Sequence, residues 1–226
     1  MTDIQLQSAI LIFANTSEKD VIDKSIPNGK DLFDRLNTHT FEITTKAKLP
    51  VFLISEDIQR GDNFGERFAN AITDIFSKGY EQIITVGNDS PDLKTSDILE
   101  AHFNLISGNS TIGPSADGGT YLIGIHKHSF NKKLFTELPW QTSFLRQALH
   151  SYLIEQGSTV KSLSYKQDID SYDDLKYFLD RHQKITSDLR QILLELTKNK
   201  HSVFSYVELF QLENTDTNLY NKGSPY

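Results

Sequence analysis

Three short stretches place carboxylates directly after segments that read as strands, and these are where the chain could do chemistry. Gln82–Gly87 is followed by Asn88-Asp89-Ser90-Pro91-Asp92, and Thr111–Gly113 by Pro114-Ser115-Ala116-Asp117-Gly118-Gly119. Val160–Tyr165 leads into Gln167-Asp168-Ile169-Asp170-Ser171. In an open α/β sheet, ligands bind outside the carboxyl ends of the strands, so three strand ends would deliver acids to one edge. Carboxylate oxygens suit Mg²⁺ or Mn²⁺, which take one or two of them together with substrate phosphates. Each cluster also has a plainer reading. Asp92, Asp97, Asp168, Asp170 and Asp174 are good helix-start residues, and Asp117-Gly118-Gly119 is a good turn. Convergence on strand ends is what favours chemistry.

The elements that must position these acids are legible as an alternation. Ala9–Ala14 reads as a buried strand, short and continuously apolar, and Val51–Ile54 and Gln82–Gly87 read as the second and third strands. Helical stripes run over Asp31–Ala47 and through Phe64, Phe68, Ile72, Ile75 and Phe76, with Gly79 as a stop. Thr95 or Ser96 caps a third helix, and Thr142 a fourth that runs to Gln156. Thr111–Gly113 and Thr120–His126, closely spaced about the Asp117 turn, point to a locally mixed sheet. Val160–Tyr165 is a last strand, and Ser171 with Asp174 resembles a capping box. The expectation is an α/β fold, a mainly parallel sheet with helices on both faces. It occupies residues 1–185, followed at 186–226 by a helical extension through Leu189, Ile192, Leu193 and Leu196 and a polar, frayed tail.

Composition narrows the partners. With 226 residues and a formal charge of -7, the chain offers no basic footprint for nucleic acid or an anionic membrane. It has no cysteine, which excludes disulfides, thiolate metal sites and cysteine nucleophiles. The start of the chain carries neither a signal-length nor a span-length apolar run, so the cytoplasm is the expected compartment. There is no G-x-x-x-x-G-K-[ST] phosphate loop, no G-x-G-x-x-G after the first strand, no G-x-S-x-G elbow and no H-E-x-x-H pair.

Several segments together carry a family resemblance. Gln59-Arg60-Gly61-Asp62-Asn63-Phe64-Gly65-Glu66-Arg67-Phe68, Gly87-Asn88-Asp89-Ser90-Pro91-Asp92-Leu93 and Gly113-Pro114-Ser115-Ala116-Asp117-Gly118-Gly119-Thr120-Tyr121-Leu122-Ile123-Gly124 resemble motifs of the bacterial GT-A-like glycosyltransferases. These are also called radical-SAM/selenodomain-associated transferase 1. Trp140-Gln141-Thr142 and Asp168-Ile169-Asp170-Ser171 through Asp174-Leu175 continue the match, in order, over roughly residues 9 to 180. That family is in turn similar to 2-phospholactate guanylyltransferase and to the guanylyltransferase of molybdenum-cofactor synthesis.

The resemblance implies a GT-A fold, of the nucleotide-diphospho-sugar transferase type, and a metal-dependent glycosyl or nucleotidyl transfer. A nucleotide or nucleotide-sugar would be the donor and a small molecule the acceptor. Asp89 and Asp117 would be the catalytic carboxylates, and Asp89 with Asp168 or Asp170 would hold Mg²⁺ or Mn²⁺ on the donor diphosphate. Gln59, Gly61 and Asp62 would lie by the nucleotide, and Gly118 and Gly119 on the acceptor side. One departure stands out. Relatives carry a basic K-T-R-L segment after the first strand, whereas this chain has Asn15-Thr16-Ser17-Glu18-Lys19-Asp20-Val21-Ile22-Asp23-Lys24. Lys19, Lys24, Lys30 and Arg35 are the basic residues available to replace it. A non-catalytic or altered-ligand descendant of the fold is the competing expectation.

Overall fold

The computed structural model describes residues 7–181 and 185–198. Six strands, β1 (Ser8–Phe13), β2 (Val51–Ile54), β3 (Gln82–Val86), β4 (Asn109–Pro114), β5 (Thr120–His126) and β6 (Thr159–Ser162), form one sheet in the order β2-β1-β3-β5-β4-β6. β1 runs parallel to β2 and β3, and β4 parallel to β6, while β5 is antiparallel to both β3 and β4. Five strands therefore point one way. The β4–β5 turn, with Asp117, falls at the same carboxyl edge as the ends of β1, β3 and β6.

Side-chain alternation divides the core into two layers. Ala9 and Leu11 of β1, Ile83 of β3 and Ile123 and Ile125 of β5 cluster with α3 (Phe64–Ser77), α5 (Lys132–Thr136) and α6 (Leu145–Glu155). Ile10, Ile12, Ile84 and Val86 cluster with α2 (Lys30–Lys46) and α4 (Thr95–Ile106). Both faces are covered, as the uninterrupted apolar strands require.

α3 begins at Asn63, whose side chain accepts from the Glu66 amide, while the Glu66 carboxylate accepts from the Asp62 amide. This reciprocal cap explains the sharp entry from the loop. At the other end Gly79, with φ of +99°, takes the left-handed stop. α6 starts at Leu145 rather than Thr142, because residues 142–144 form a turn in which the Leu145 amide donates to the Thr142 carbonyl.

Residues 15–24, to which the sequence assigned no element, contain a helix, α1 (Ser17–Asp23), whose N-cap Thr16 accepts from the Lys19 amide. The chain divides into two compact units, residues 1–174 and 175–226, at the helix α7 (Tyr172–Arg181). In the second unit, residues 187–198 are helical, and Leu175, Phe178, Leu189 and Leu193 are buried. The tail expected from 213 onward lies outside the described residues. None of the described helices is long and apolar enough to cross a membrane.

Candidate functional site

A cleft of about 790 Å³ opens at the carboxyl edge, and Gln59, Asp89, Asp117, Gly119, Asp168 and Asp170 all line it. Gly61, Asp62 and Gly118 are not in its lining. Gly61 and Asp62 belong instead to the capped entry into α3, where the Asp62 amide is 2.9 Å from Glu66 Oε2.

At the centre is a cation supplied by the chain itself. Lys24 Nζ lies 2.8 Å from Asp89 Oδ2, 3.0 Å from Asp170 Oδ1 and 2.8 Å from the Ile169 carbonyl. Burial by itself would lower the Lys24 pKa. The Asp89 and Asp170 carboxylates outweigh it and raise the pKa above the ordinary range, so the ammonium stays charged. Lys24 is the C-cap of α1, its amide donating to the Asp20 and Ile22 carbonyls.

α1 is fixed by a polar network that reaches across the molecule. The buried Asp20 accepts from Asn15 Nδ2 at 3.0 Å and from Asn88 Nδ2 at 2.9 Å, and Asn88 also donates to Asn37 Oδ1 at 2.7 Å. Burial pushes the Asp20 carboxyl up, with Lys24 and the two amides working against it. Such a network holds geometry best when every member has a partner, and here each has one.

Asp168 and Asp170 sit on a strap after β6 that is tied on two sides. The Ile169 amide donates to the Asp89 carbonyl at 2.9 Å, and the Lys166 amide to the Pro114 carbonyl at 3.1 Å. Asp168 accepts a hydrogen bond from Ser90 Oγ. Its carboxyl is pushed up to about 8 by burial first and the nearby Asp89 charge second, against the Ser90 hydrogen bond. Beneath the strap, the buried Lys166 ammonium pairs with Asp97 at 2.8 Å and lies 5.3 Å from the Tyr121 ring centre. Replacing Lys166 with methionine leaves Asp97 buried with an unpaired charge. The expected loss is about 3 kcal/mol, read as a fall of roughly 1 M or more in the urea midpoint.

The opposite wall carries the aromatic and turn residues. Asp117 Oδ1 accepts from Ser115 Oγ at 2.5 Å and from the Gly119 amide at 2.8 Å, and Oδ2 has no partner among the described residues. Trp140 packs on Phe64, Phe68 and Phe135, its indole N–H donating to the Phe135 carbonyl at 2.9 Å. A Cβ at Gly65 would stand 2.7 Å from Trp140 Cδ1, so the bare glycine lets the indole close on α3. Gly118, at φ +95°, serves a similar end, because a Cβ there would lie 2.3 Å from the Ser143 carbonyl oxygen. Its smallness is used by the chain's own 142–146 turn. Gln59 bridges β1 and β2 through the Ala14 and Ile54 carbonyls, both at 3.3 Å, and accepts from Arg67 Nε at 3.2 Å.

The pieces the sequence left unassigned are Lys24 among four basic candidates, Ser90 as the partner of Asp168, and Ser115 as the partner of Asp117. Ser90 and Ser115 stand inside the motif segments, which was a usable signal. Among the described residues no three carboxylate or imidazole side chains gather closely enough to form a cation cage by themselves.

Residues 54–142 match a family described as uncharacterized protein conserved in bacteria (DUF2064). No curated protein sequence matches the chain. The crystal structure of a proposed nucleotide-diphospho-sugar transferase from Desulfovibrio desulfuricans G20 is similar, with a TM-score of 0.74 and 21% identity, over 84% of this chain and 94% of that one. Two more distant structures are the homologue of Mycobacterium tuberculosis Rv0371c from Mycobacterium sp. strain JC1 and the manganese complex of Rv0371c from strain H37Rv. The former has a TM-score of 0.48 and 14% identity over 85% and 98% of the two chains, the latter 0.41 and 10% over 77% and 99%. Neither is close enough to bear on this chain. The six-stranded, mostly parallel sheet and its helices have the nucleotide-diphospho-sugar transferase (GT-A-like) fold.

Proposed function

We propose that the protein is a transferase that moves a glycosyl or nucleotidyl group from a nucleotide-bearing donor to a small hydroxyl-bearing acceptor. The observation that carries this reading is convergence. Asp89, Asp117, Gln59 and the Asp168–Asp170 pair come from four separate chain segments and line one cleft at the carboxyl edge of the sheet. The motif segments at 59–68, 87–93 and 113–124, which resemble the radical-SAM/selenodomain-associated transferases, point the same way.

In this reading the nucleotide lies toward Gln59, its phosphates face Lys24 and Asp89, and the acceptor enters beside Asp117 and Trp140. Asp117 Oδ2 takes the proton of the acceptor hydroxyl as its oxygen bonds to the transferred group. The bond from that group to the departing phosphate oxygen breaks, and the leaving charge develops next to the Lys24 ammonium.

The resemblance also implies a divalent cation, and the donor set fits one. Asp89 Oδ2 and Asp170 Oδ1 already converge on a single cation, the Lys24 ammonium, and Mg²⁺ or Mn²⁺ needs only one or two carboxylates when phosphates complete its shell. Asp89 and Asp170 would hold the ion, with Asp168 behind them. When bound it neutralises the donor phosphates against a cleft rich in acids.

The test is a calorimetric screen of nucleoside triphosphates and nucleotide-sugars in Mn²⁺, Mg²⁺ and EDTA. Binding is expected for at least one ligand, stronger with metal. Trp140 is the only tryptophan, and stacking or exclusion of water at the cleft wall should shift its fluorescence on the same titration. Failure of every nucleotide to bind under all conditions would reject the transferase reading in favour of an altered-ligand descendant.

A further inference from the structure

We propose that Lys24 is a resident counter-ion which a divalent cation must displace, so that the site resists metal until a phosphate-bearing ligand gives the ammonium a new partner. The proposal rests on the reading of the cleft as a donor site.

All three donors of the Lys24 ammonium have an oxygen within 3.0 Å, namely Asp89 Oδ2, Asp170 Oδ1 and the Ile169 carbonyl. Two of these oxygens are the ones a divalent ion would need. An ion bound to both at about 2.0–2.6 Å would stand against the ammonium, and two cations that close repel each other. The Lys24 side chain is only 12% exposed where it stands, so leaving its two carboxylates costs charge pairing unless another anion meets it.

Among the described residues the other carboxylates of this region are engaged: Asp20 accepts from Asn15 and Asn88, Asp23 from Lys19, and Asp168 from Ser90. A phosphate oxygen entering beside Asp89 supplies the missing anion: the ammonium turns to it while the carboxylates turn to the metal. Metal and phosphate then favour each other's binding, and the coupling is the same in both directions. The backbone of Lys24 need not move for this exchange, since α1 is held through Asp20 and Asn88, and a lysine stem has the rotamers to redirect its head group.

The test uses Mn²⁺ alone, with no nucleotide, followed by electron paramagnetic resonance of the free ion. Lys24→Met, and in parallel Lys24→Gln, should bind Mn²⁺ at least about tenfold more tightly than the wild type, because the same two carboxylates lose their competitor. Circular dichroism confirms that each variant is folded. Equal affinity, within about twofold, in the wild type and a folded variant would overturn the proposal. So would a wild-type protein that binds Mn²⁺ alone below about 10 µM, a measurement that needs no variant. Neither outcome depends on the nucleotide screen, so a failure here and a failure of the transferase reading are told apart.

Discussion

Gly118→Val is expected to destabilise the protein by about 4 kcal/mol, the largest stability loss among the substitutions considered. Two costs add. The backbone at 118 sits at φ +95°, where a β-branched residue is strained. Independently, the new Cβ would stand 2.3 Å from the Ser143 carbonyl oxygen and 2.9 Å from two further backbone atoms of that residue. Backbone cannot be turned aside as a flexible side chain can, so either the β4–β5 turn or the 142–146 turn must move. The Arg146 amide, which donates to the Gly118 carbonyl at 3.1 Å, moves with it. For a chain of this size the thermal midpoint should fall by roughly 10 °C. A midpoint within about 2 °C of wild type would show that the turn tolerates a side chain and that Gly118 is not constrained by the chain.

Asp89→Ala should lower turnover with the donor found in the screen by at least about 100-fold. It should also make nucleotide affinity indifferent to the choice between Mn²⁺ and EDTA. The substitution removes one of the two carboxylates that face Lys24, and with it one of the two oxygens a bridging ion requires. Asp92→Ala is the control: Asp92 does not line the cleft, and turnover should stay within about threefold. If Asp89→Ala keeps both its turnover and its metal response, the carboxylate at 89 is not part of the donor site.

Much of this architecture is visible in the sequence, and the reason is local. β1 and β3 are short runs buried on both sides, β2 is an apolar edge strand with Leu53 exposed, and α3 carries its stripe within its own residues. The antiparallel β4–β5 pair follows from its spacing alone. The acids at 89, 117, 168 and 170 could be placed at one edge because strand ends in such sheets share an edge. Residues 15–24 defeated the same reasoning. Their acids stand where relatives carry a basic segment. Yet Asp20 is a structural acid whose partner Asn88 lies 68 residues away, and Lys24 finds its carbonyl 145 residues away. No periodicity within the segment encodes those partners. The three lysines among the basic candidates are equivalent by type and are separated only by the fold. Lys30 pairs with Glu18 and Asp34 at the surface, Lys19 pairs with Asp23, and Lys24 reaches the centre. The Thr142 cap was misplaced for a related reason, since the Gly118–Ser143 approach holds residues 142–144 in a turn before the helix can start.

The distances along the chain between Lys24 and its partners set an order of assembly. On a ribosome, residue 24 emerges long before Asp170, and until the strap after β6 arrives its ammonium has at most the Asp89 half of its final surroundings. The first three parallel strands can pair early, but the charged centre of the cleft closes only once nearly the whole first unit has been synthesised. The proposed ligand site, which depends on the last strap, cannot form on a chain cut short before it. Whatever binding the cleft supports is therefore acquired late, after the parallel strands have paired.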